Sequence, residues 1–491
     1  MYTKQTYADW EAAQSDSERI ALIRQVVAGY KASDDFRKAL QAKMYYEAEN
    51  EEVGKKVILS AKTATSTDAQ GNETKTVGVK EIVGNRVYSD FFARFVKQEA
   101  GFLLGNGVTL DKPETKKKLG PGFDTTLYKI GRNALVQALC YGYWNHDHIE
   151  MIEAAKDALS GAVALLDEMT SDPRVLIQFW QIDDTHKMYV RIMETDGVTV
   201  YKENAKTGEL EVIQPKRNYI LESSTDGLGK RITGGRNYDG RLPVVAMYGN
   251  DEHKSELKNS LKSKIDLYDR IFSDFGDNLD KANDVYWVLN NFGGSMADVL
   301  DMLQQIQKLK AVANISDGSG GGSTAEPHSF EVPYQARQTA LTLLERAMYS
   351  DFMGLDMKEL TGGSLTNVAI KTAMTNLNLK ADGLEFEAFS FVQSILRLLG
   401  IETEVIKFKR RDIVNDTEII DNIYTMRADI SHRKALTLNP YIDQDDIDDV
   451  IQEMAEEEAV TKSHDKGDNN FAAHFAGGKT VGKTDGEGDA E

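Results

Sequence analysis

The chain has one cysteine, Cys140, in 491 residues. No disulfide can therefore close within it, and a reducing compartment such as the cytosol is expected. No apolar run reaches the about 18 residues that a membrane-spanning helix needs. The opening Met1-Tyr2-Thr3-Lys4 leads into polar residues, so no signal peptide is expected. Bases are the scarcer charge: 58 Lys and Arg face 78 Asp and Glu, a formal net charge of -20. A protein that grips DNA by displacing counterions needs the opposite excess. The acid is concentrated, because residues 441–458 hold nine acids and no base. Acidity on this scale also keeps a protein soluble, which is its plainest reading.

Catalytic patterns are equally sparse. Neither G-x-S-x-G nor H-E-x-x-H occurs, so no hydrolase elbow and no zinc-protease helix is expected. His146-Asp147-His148 places two imidazoles at i and i+2, which diverge on a helix. No cysteine cluster supports them as metal ligands, and they read as a solvated helix end. Gly477-Gly478-Lys479-Thr480-Val481-Gly482-Lys483-Thr484 fits the P-loop pattern. It has no strand before it and only seven residues after it, so nothing would hold its N–H groups around a phosphate. The expectation is a protein without catalytic residues, metal or cofactor.

What is present is patterned. A chain of 491 residues with 41% hydrophobic residues exceeds one core and predicts two or more folding units. The first 45 residues read as helices, and Ala61–Thr76 as a Thr-rich hairpin or loop with Gln70-Gly71-Asn72 at its tip. Asn85 is a candidate cap for a helix carrying Val87, Phe91, Phe95 and Phe102. Residues 124–144 suggest another helix with Asp124 as its cap. From Val175 to Met247 the period becomes strand-like, broken by Asp-Gly, Thr-Gly and Gly-Gly turns. The class is α+β, with an antiparallel sheet region joined to helices.

The most regular segment is Ser255–Lys281. Leu257, Leu261, Ile265, Tyr268, Phe272, Phe275 and Leu279 form one narrow stripe on a helix roughly 40 Å long, and Lys258, Lys262, Asp266, Asp269 and Arg270 occupy much of the rest. Such a stripe needs a second helix, in this chain or another. An insert follows, with Val285–Leu289 strand-like, Met296–Leu309 helical and Asp317–Thr324 a glycine-rich loop. A second helix, Gln335–Phe352, comes next. After Gly354, the loop Leu360-Thr361-Gly362-Gly363-Ser364 leads into a long helix to Leu399, interrupted at Gly383. Glu404–Arg411 alternates as a half-buried strand with a basic outer face, Lys407 and Lys409 against Ile406 and Phe408. Residues 415–459 read as helical, and 461–491 as disordered.

Four segments in this order carry a resemblance. They are Asn85-Arg86-Val87 through Gly101-Phe102-Leu103-Leu104-Gly105; Leu242-Pro243-Val244-Val245 with the helix Ser255–Arg270; Glu359-Leu360-Thr361-Gly362-Gly363-Ser364-Leu365-Thr366-Asn367-Val368-Ala369-Ile370; and Ser431-His432-Arg433-Lys434-Ala435-Leu436 with Asn439-Pro440 before the acidic helix. Over roughly residues 30–460 the chain resembles the SPP1-like portal proteins of siphoviruses.

The resemblance implies a portal fold. Residues 1–254 would form a mixed α/β wing, 255–281 and 335–353 two stem helices packed through the stripe, and 282–334 a small α/β clip. Residues 354–367 would form a tunnel loop, 368–414 a long wing helix and strand, and 415–460 a helical crown, with 461–491 an acidic tail. It implies a ring, typically of twelve copies, at a capsid vertex of the virion, assembled in the host cytoplasm. Double-stranded DNA would pass Lys358, Glu359, Thr361, Gly362, Gly363, Ser364, Asn367 and Lys371. The clip loop, Asp317, Gly318, Ser319, Gly320, Gly321 and Gly322, would meet the terminase motor and head-completion adaptors. Major capsid and scaffolding proteins are the other implied partners. A capsid adaptor without a channel is the competing structural reading, and a P-loop ATPase the competing enzymatic one.

Overall fold

The computed structural model describes residues 4–67, 73–182, 187–225, 231–282, 286–290, 324–328, 334–360, 366–402, 404–411, 416–426, 429–442 and 446–457. The chain divides into two units, Met1–Met357 with Ala373–Asp412, and Lys358–Thr372 with Ile413–Glu491.

The first unit opens with helices α1 (Tyr7–Ala12), α2 (Asp16–Lys31) and α3 (Asp34–Tyr46), the single turn α4 (Glu51–Gly54), and a hairpin of β1 (Val57–Thr67) and β2 (Glu73–Val83). Serines set two of the starts. Ser15 Oγ accepts the Glu18 N–H while Glu18 accepts the Ser15 N–H, and Ser33 Oγ accepts the Phe36 N–H; each satisfies an amide the helix cannot. Next come α5 (Phe91–Leu104), β3 (Val108–Leu110), α6 (Pro113–Lys118) and α7 (Phe123–Gln137). The strands β4 (Leu139–Asn145), β5 (His148–Glu153), β6 (Ala155–Asp157), β7 (Ser160–Leu166), β8 (Pro173–Gln181), β9 (Met188–Glu194), β10 (Gly197–Glu203), β11 (Leu210–Arg217), β12 (Ile220–Thr225), β13 (Arg231–Arg236) and β14 (Val244–Tyr248) follow. Helix α8 (Asn259–Ala282), strands β15 (Tyr286–Asn290) and β16 (Thr324–His328), and α9 (Tyr334–Phe352) come next, then α10 (Asn367–Ala373), α11 (Thr375–Leu398) and β17 (Ile406–Phe408). The second unit carries most of α10, then α12 (Asp416–Thr425), α13 (His432–Leu438) and a helix at 447–457.

Every strand pairing among the described residues is antiparallel, which makes the class α+β. β6 to β11 form a six-stranded meander, and β14, β4 and β5 a second sheet. Alternation along the strands builds the layers. On β7, Val163 and Leu165 face α1–α3, while Ala162 and Ala164 face the smaller sheet. The smaller sheet is itself covered twice. Tyr141 and Tyr143 meet the meander, whereas Cys140 and Trp144 enter a core with α5, α7 and α11. The approach there is tight enough that a Cβ on Gly142 would lie 2.4 Å from the Phe391 ring. Cys140 is fully buried, its thiol donating to the Ile152 carbonyl at 3.5 Å.

Several expectations are corrected. The helix read over 124–144 stops at Gln137, where Ala138 takes a left-handed φ of 72°, and β4 begins at Leu139. The run Cys140–Trp144 is apolar without a period because both its faces are buried, and periodicity cannot separate such a strand from a helix. Asp124 is not that helix's cap; Gly122 precedes the first turn, and Asp124 accepts the Val108 N–H instead. Asn85 does not cap α5, which starts after Asp90. His146-Asp147-His148 forms the turn between β4 and β5, not a helix end. The helix after the Gly-Gly loop breaks at Met374 and runs unbroken through Gly383, whose Cβ position faces open space. Within the insert, Tyr286–Asn290 pairs with Thr324–His328; the remainder of 283–333, the tip at 70–72 and the tail at 461–491 lie outside the described residues.

Candidate functional site

Helices α8 and α9 form a hairpin. Lys264 pairs with Asp351 near one end, and the Phe275 ring lies 5.9 Å from Tyr334 near the other. As the number rises on α8 it falls on α9, so the two run antiparallel. The 24 residues of α8 span about 36 Å. The root of the hairpin is embedded: Leu261, Ile265, Met348 and Phe352 are buried in the helical core, with Leu257 and Tyr268 partly covered against it. Phe95 stacks on Phe352 at 4.9 Å, and Phe91 meets Tyr268 edge-on at 4.9 Å. The distal half is buried where Ser273 and Asp277 lie and exposes apolar side chains elsewhere. Phe272 is 39% exposed, Leu279 50%, Tyr334 56% and Leu343 59%. The stripe read from the sequence thus splits, its lower residues meeting the body of this chain and its upper ones only partly covered.

A second face of α8 is polar and buried. The segment 84–90, outside any regular helix or strand, runs antiparallel to the helix and is held by a ladder. The Asn85 N–H donates to Asp277 Oδ1 at 2.7 Å, the Val87 N–H to Ser273 Oγ at 2.9 Å, and the Ser89 N–H to Asp269 Oδ1 at 3.1 Å. Two residues of extended chain advance about 6.6 Å and four of helix about 6.0 Å, so every second amide meets every fourth side chain. Asp269 also accepts from the Asn50 amide, and Lys56 reaches Asp274 at 2.9 Å and Asp277 at 2.5 Å. Burial pushes the Asp269 carboxyl up to about 6, against the lowering effect of these hydrogen bonds. The sequence reading missed this anchor. Its signal was the spacing of Asp269, Ser273 and Asp277, masked by the assumption that charged positions on a long helix face water.

At the hairpin root, Lys380 of α11 joins the parts. Its ammonium lies 2.5 Å from Glu256 Oε2 ahead of α8, 3.5 Å from Glu99 Oε2 on α5, and 3.4 Å from the Phe352 ring centre at the end of α9. Burial pushes the Glu99 carboxyl up to about 8, only partly opposed by Lys380. These groups edge an open cleft of about 410 Å³ that also holds Asp251, Glu252, Asp351 and Glu387. One lysine shared by two buried carboxylates is an arrangement that joins elements. It offers no nucleophile, and among the described residues no cluster of His, Cys, Asp and Glu is disposed to hold a metal.

Of the expected channel residues, Lys358 and Glu359 lie in a single 3-10 turn, Met357–Leu360. Asn367 and Lys371 sit one turn apart on α10, the Asn367 N–H donating to Glu418 Oε2 of α12 at 2.5 Å. Thr361, Gly362, Gly363 and Ser364, and the clip residues Asp317, Gly318, Ser319, Gly320, Gly321 and Gly322, lie outside the described residues, as does the P-loop-like pattern. No described helix is long and apolar enough to cross a membrane.

Residues 30–464 match the family described as phage portal protein, SPP1 Gp6-like. The chain is 23% identical over 451 residues to the portal protein of Clostridium phage phiCD119, covering 88% of this chain and 95% of that one. It is 24% identical over 253 residues to the portal protein of Bacillus phage SPP1, covering 47% of this chain and 49% of that one.

Proposed function

The chain belongs to the SPP1 Gp6-like family of phage portal proteins, and from that premise we propose that copies of it, twelve in the simplest case, close into a ring around a channel for double-stranded DNA. Portal proteins are structural components of the virion, and no enzymatic role follows from the family. The observation that carries the ring is the exposed apolar side of the distal hairpin. Phe272, Leu279, Tyr334 and Leu343 are an apolar surface that this chain leaves half uncovered, and neighbouring hairpins standing side by side would bury it.

In this reading α8 and α9 are staves of the channel wall, residues 282–334 form the clip that meets the terminase and later the head-completion proteins, and 354–367 form the tunnel loop. Residues 415–460 form the crown, and capsid and scaffolding proteins contact the outside. A ring of chains each carrying -20 surrounds a polyanion with mostly like charge. Within a Debye length of about 8–10 Å such walls leave no deep phosphate well, so DNA slides. Energy for translocation comes from a separate ATPase. Micrographs of the purified chain should show rings with a central hole; sedimentation as monomer alone, at high concentration and in several salts, would overturn the reading.

A further inference from the structure

The chain is acidic overall, yet one small module is basic. β17 pairs with β3, Lys407 standing opposite Thr109. Exposure alternates from Val405 through Arg411, so Lys407, Lys409 and Arg411 point outward while Ile406 and Phe408 turn in. Arg410 also turns in, its guanidinium held by Glu385, Asp382 and Asn378. Helix α6, directly after β3, adds Lys117 and Lys118, both exposed, and Lys112 stands at its start. The two parts are tied together by Glu404, whose carboxylate accepts the Lys112 N–H at 2.7 Å and the Thr115 hydroxyl at 3.2 Å. Lys117, Lys118, Lys407, Lys409 and Arg411 make no ion pair among the described residues. Three exposed acids, Asp111, Glu114 and Glu402, accompany these bases without outnumbering them.

Lysine on an exposed strand edge is a common device against edge-to-edge aggregation. That accounts for one or two charges on β17 and for none on α6. A protein partner would want an apolar or aromatic centre; the outward residues hold a single large apolar side chain, Val405, 50% exposed at one end, and no aromatic. A surface made mostly of cations is what phosphate backbones bind. Outward residues along the strand recur every 6.6 Å or so, so Lys407 to Arg411 reach about 13 Å, or about four phosphates of one strand at about 3.4 Å of rise each.

We propose that the β3–β17 ribbon and α6 form a surface that binds the phosphate backbone of double-stranded DNA, separate from the channel; the portal reading enters only in naming the cargo. The test uses assembled rings of the full chain and covalently closed circular duplex, which cannot thread a closed ring and so reports exterior binding alone. Affinity is followed from low to high salt for the wild type, for Lys407→Ala/Lys409→Ala/Arg411→Ala, and for Lys117→Ala/Lys118→Ala. The salt slope should shrink by about 0.9 per lost contact, hence by about 2.7 and about 1.8, with affinity falling about tenfold or more in the triple variant. Equal slopes and affinities, or no binding of circles by wild-type rings at low salt, would overturn the proposal while leaving the portal reading intact. Loss of rings in the triple variant would also overturn it, by showing that the ribbon meets another copy of the chain. Absence of wild-type rings on micrographs would instead count against the portal reading.

Discussion

Glu99 shows what a single buried carboxyl does to the pH response. Its folded value is about 8 against an ordinary 4.5, with burial as the main cause. Below pH 4.5 both folded and unfolded chains carry the proton, and the group is neutral to stability. Between about 4.5 and 8 the unfolded chain releases it and the folded chain keeps it, so stability falls as pH rises. Above about 8 both are ionised, and the loss, on the order of a few kcal/mol for a fully buried group, is complete. Glu99→Gln keeps the shape and removes the titration. At fixed protein concentration its thermal midpoint should match the wild type near pH 5 and exceed it increasingly toward pH 8. A gap that does not change with pH would refute the assignment. Lys380→Ala acts in the other direction, because it strips the counter-ion from Glu256, and from Glu99 only where that group ionises above about pH 8, a loss of about 3–5 kcal/mol where one partner of a buried pair is removed.

Among elements, the segment after the hairpin is the one with the sharpest functional expectation. Deleting Gly362–Ser364 removes no residue of the described core, so rings should still form while packaged or retained DNA drops to a small fraction of the wild-type yield. Normal DNA-filled heads would remove the tunnel-loop assignment. Elements differ in how plainly the sequence announced them. Helices α8 and α9 were legible because one stripe continued for seven apolar positions on α8 and because an insert with turn signals separated the two. Strands β8 to β11 of the meander were legible from strand-like periodicity after Val175, though β6 and β7 before it were not read, and β17 was legible from Ile406 and Phe408 set between lysines. β4 was not, since a strand buried on both faces loses its alternation, and neither was the start of α5, where Asn85 resembles a cap but donates its amide to Asp277. The ladder was hidden for a related reason. Ser273 and Asp277 serve a segment about 190 residues earlier in the chain, so their four-residue spacing marks a polar stripe without saying what crosses it. Their value is that a buried N–H left without a partner costs about 1–3 kcal/mol, so three such bonds fix residues 84–90 on α8.

For the whole molecule, the same hairpin has to satisfy two demands. Its root is fixed to the rest of the first unit by aromatic stacking and Lys380, and the ladder holds one face of α8 from Asp269 to Asp277. Its distal half keeps Phe272, Leu279, Tyr334 and Leu343 partly in water, a surface whose exposure is a cost for a monomer and a contact for a ring. Substitutions there separate folding from assembly, because the residues contribute little to the chain's own core. Phe272→Asp with Leu343→Asp should leave the circular dichroism of the monomer unchanged and abolish rings in sedimentation, since each copy would then present a desolvated carboxylate to its neighbours. The matching change at the root, Ile265→Asp, should instead unfold the chain, because Ile265 is fully buried. If the distal pair assembled normally, the hairpin would have to be removed from the subunit contact and the ring explained by other surfaces.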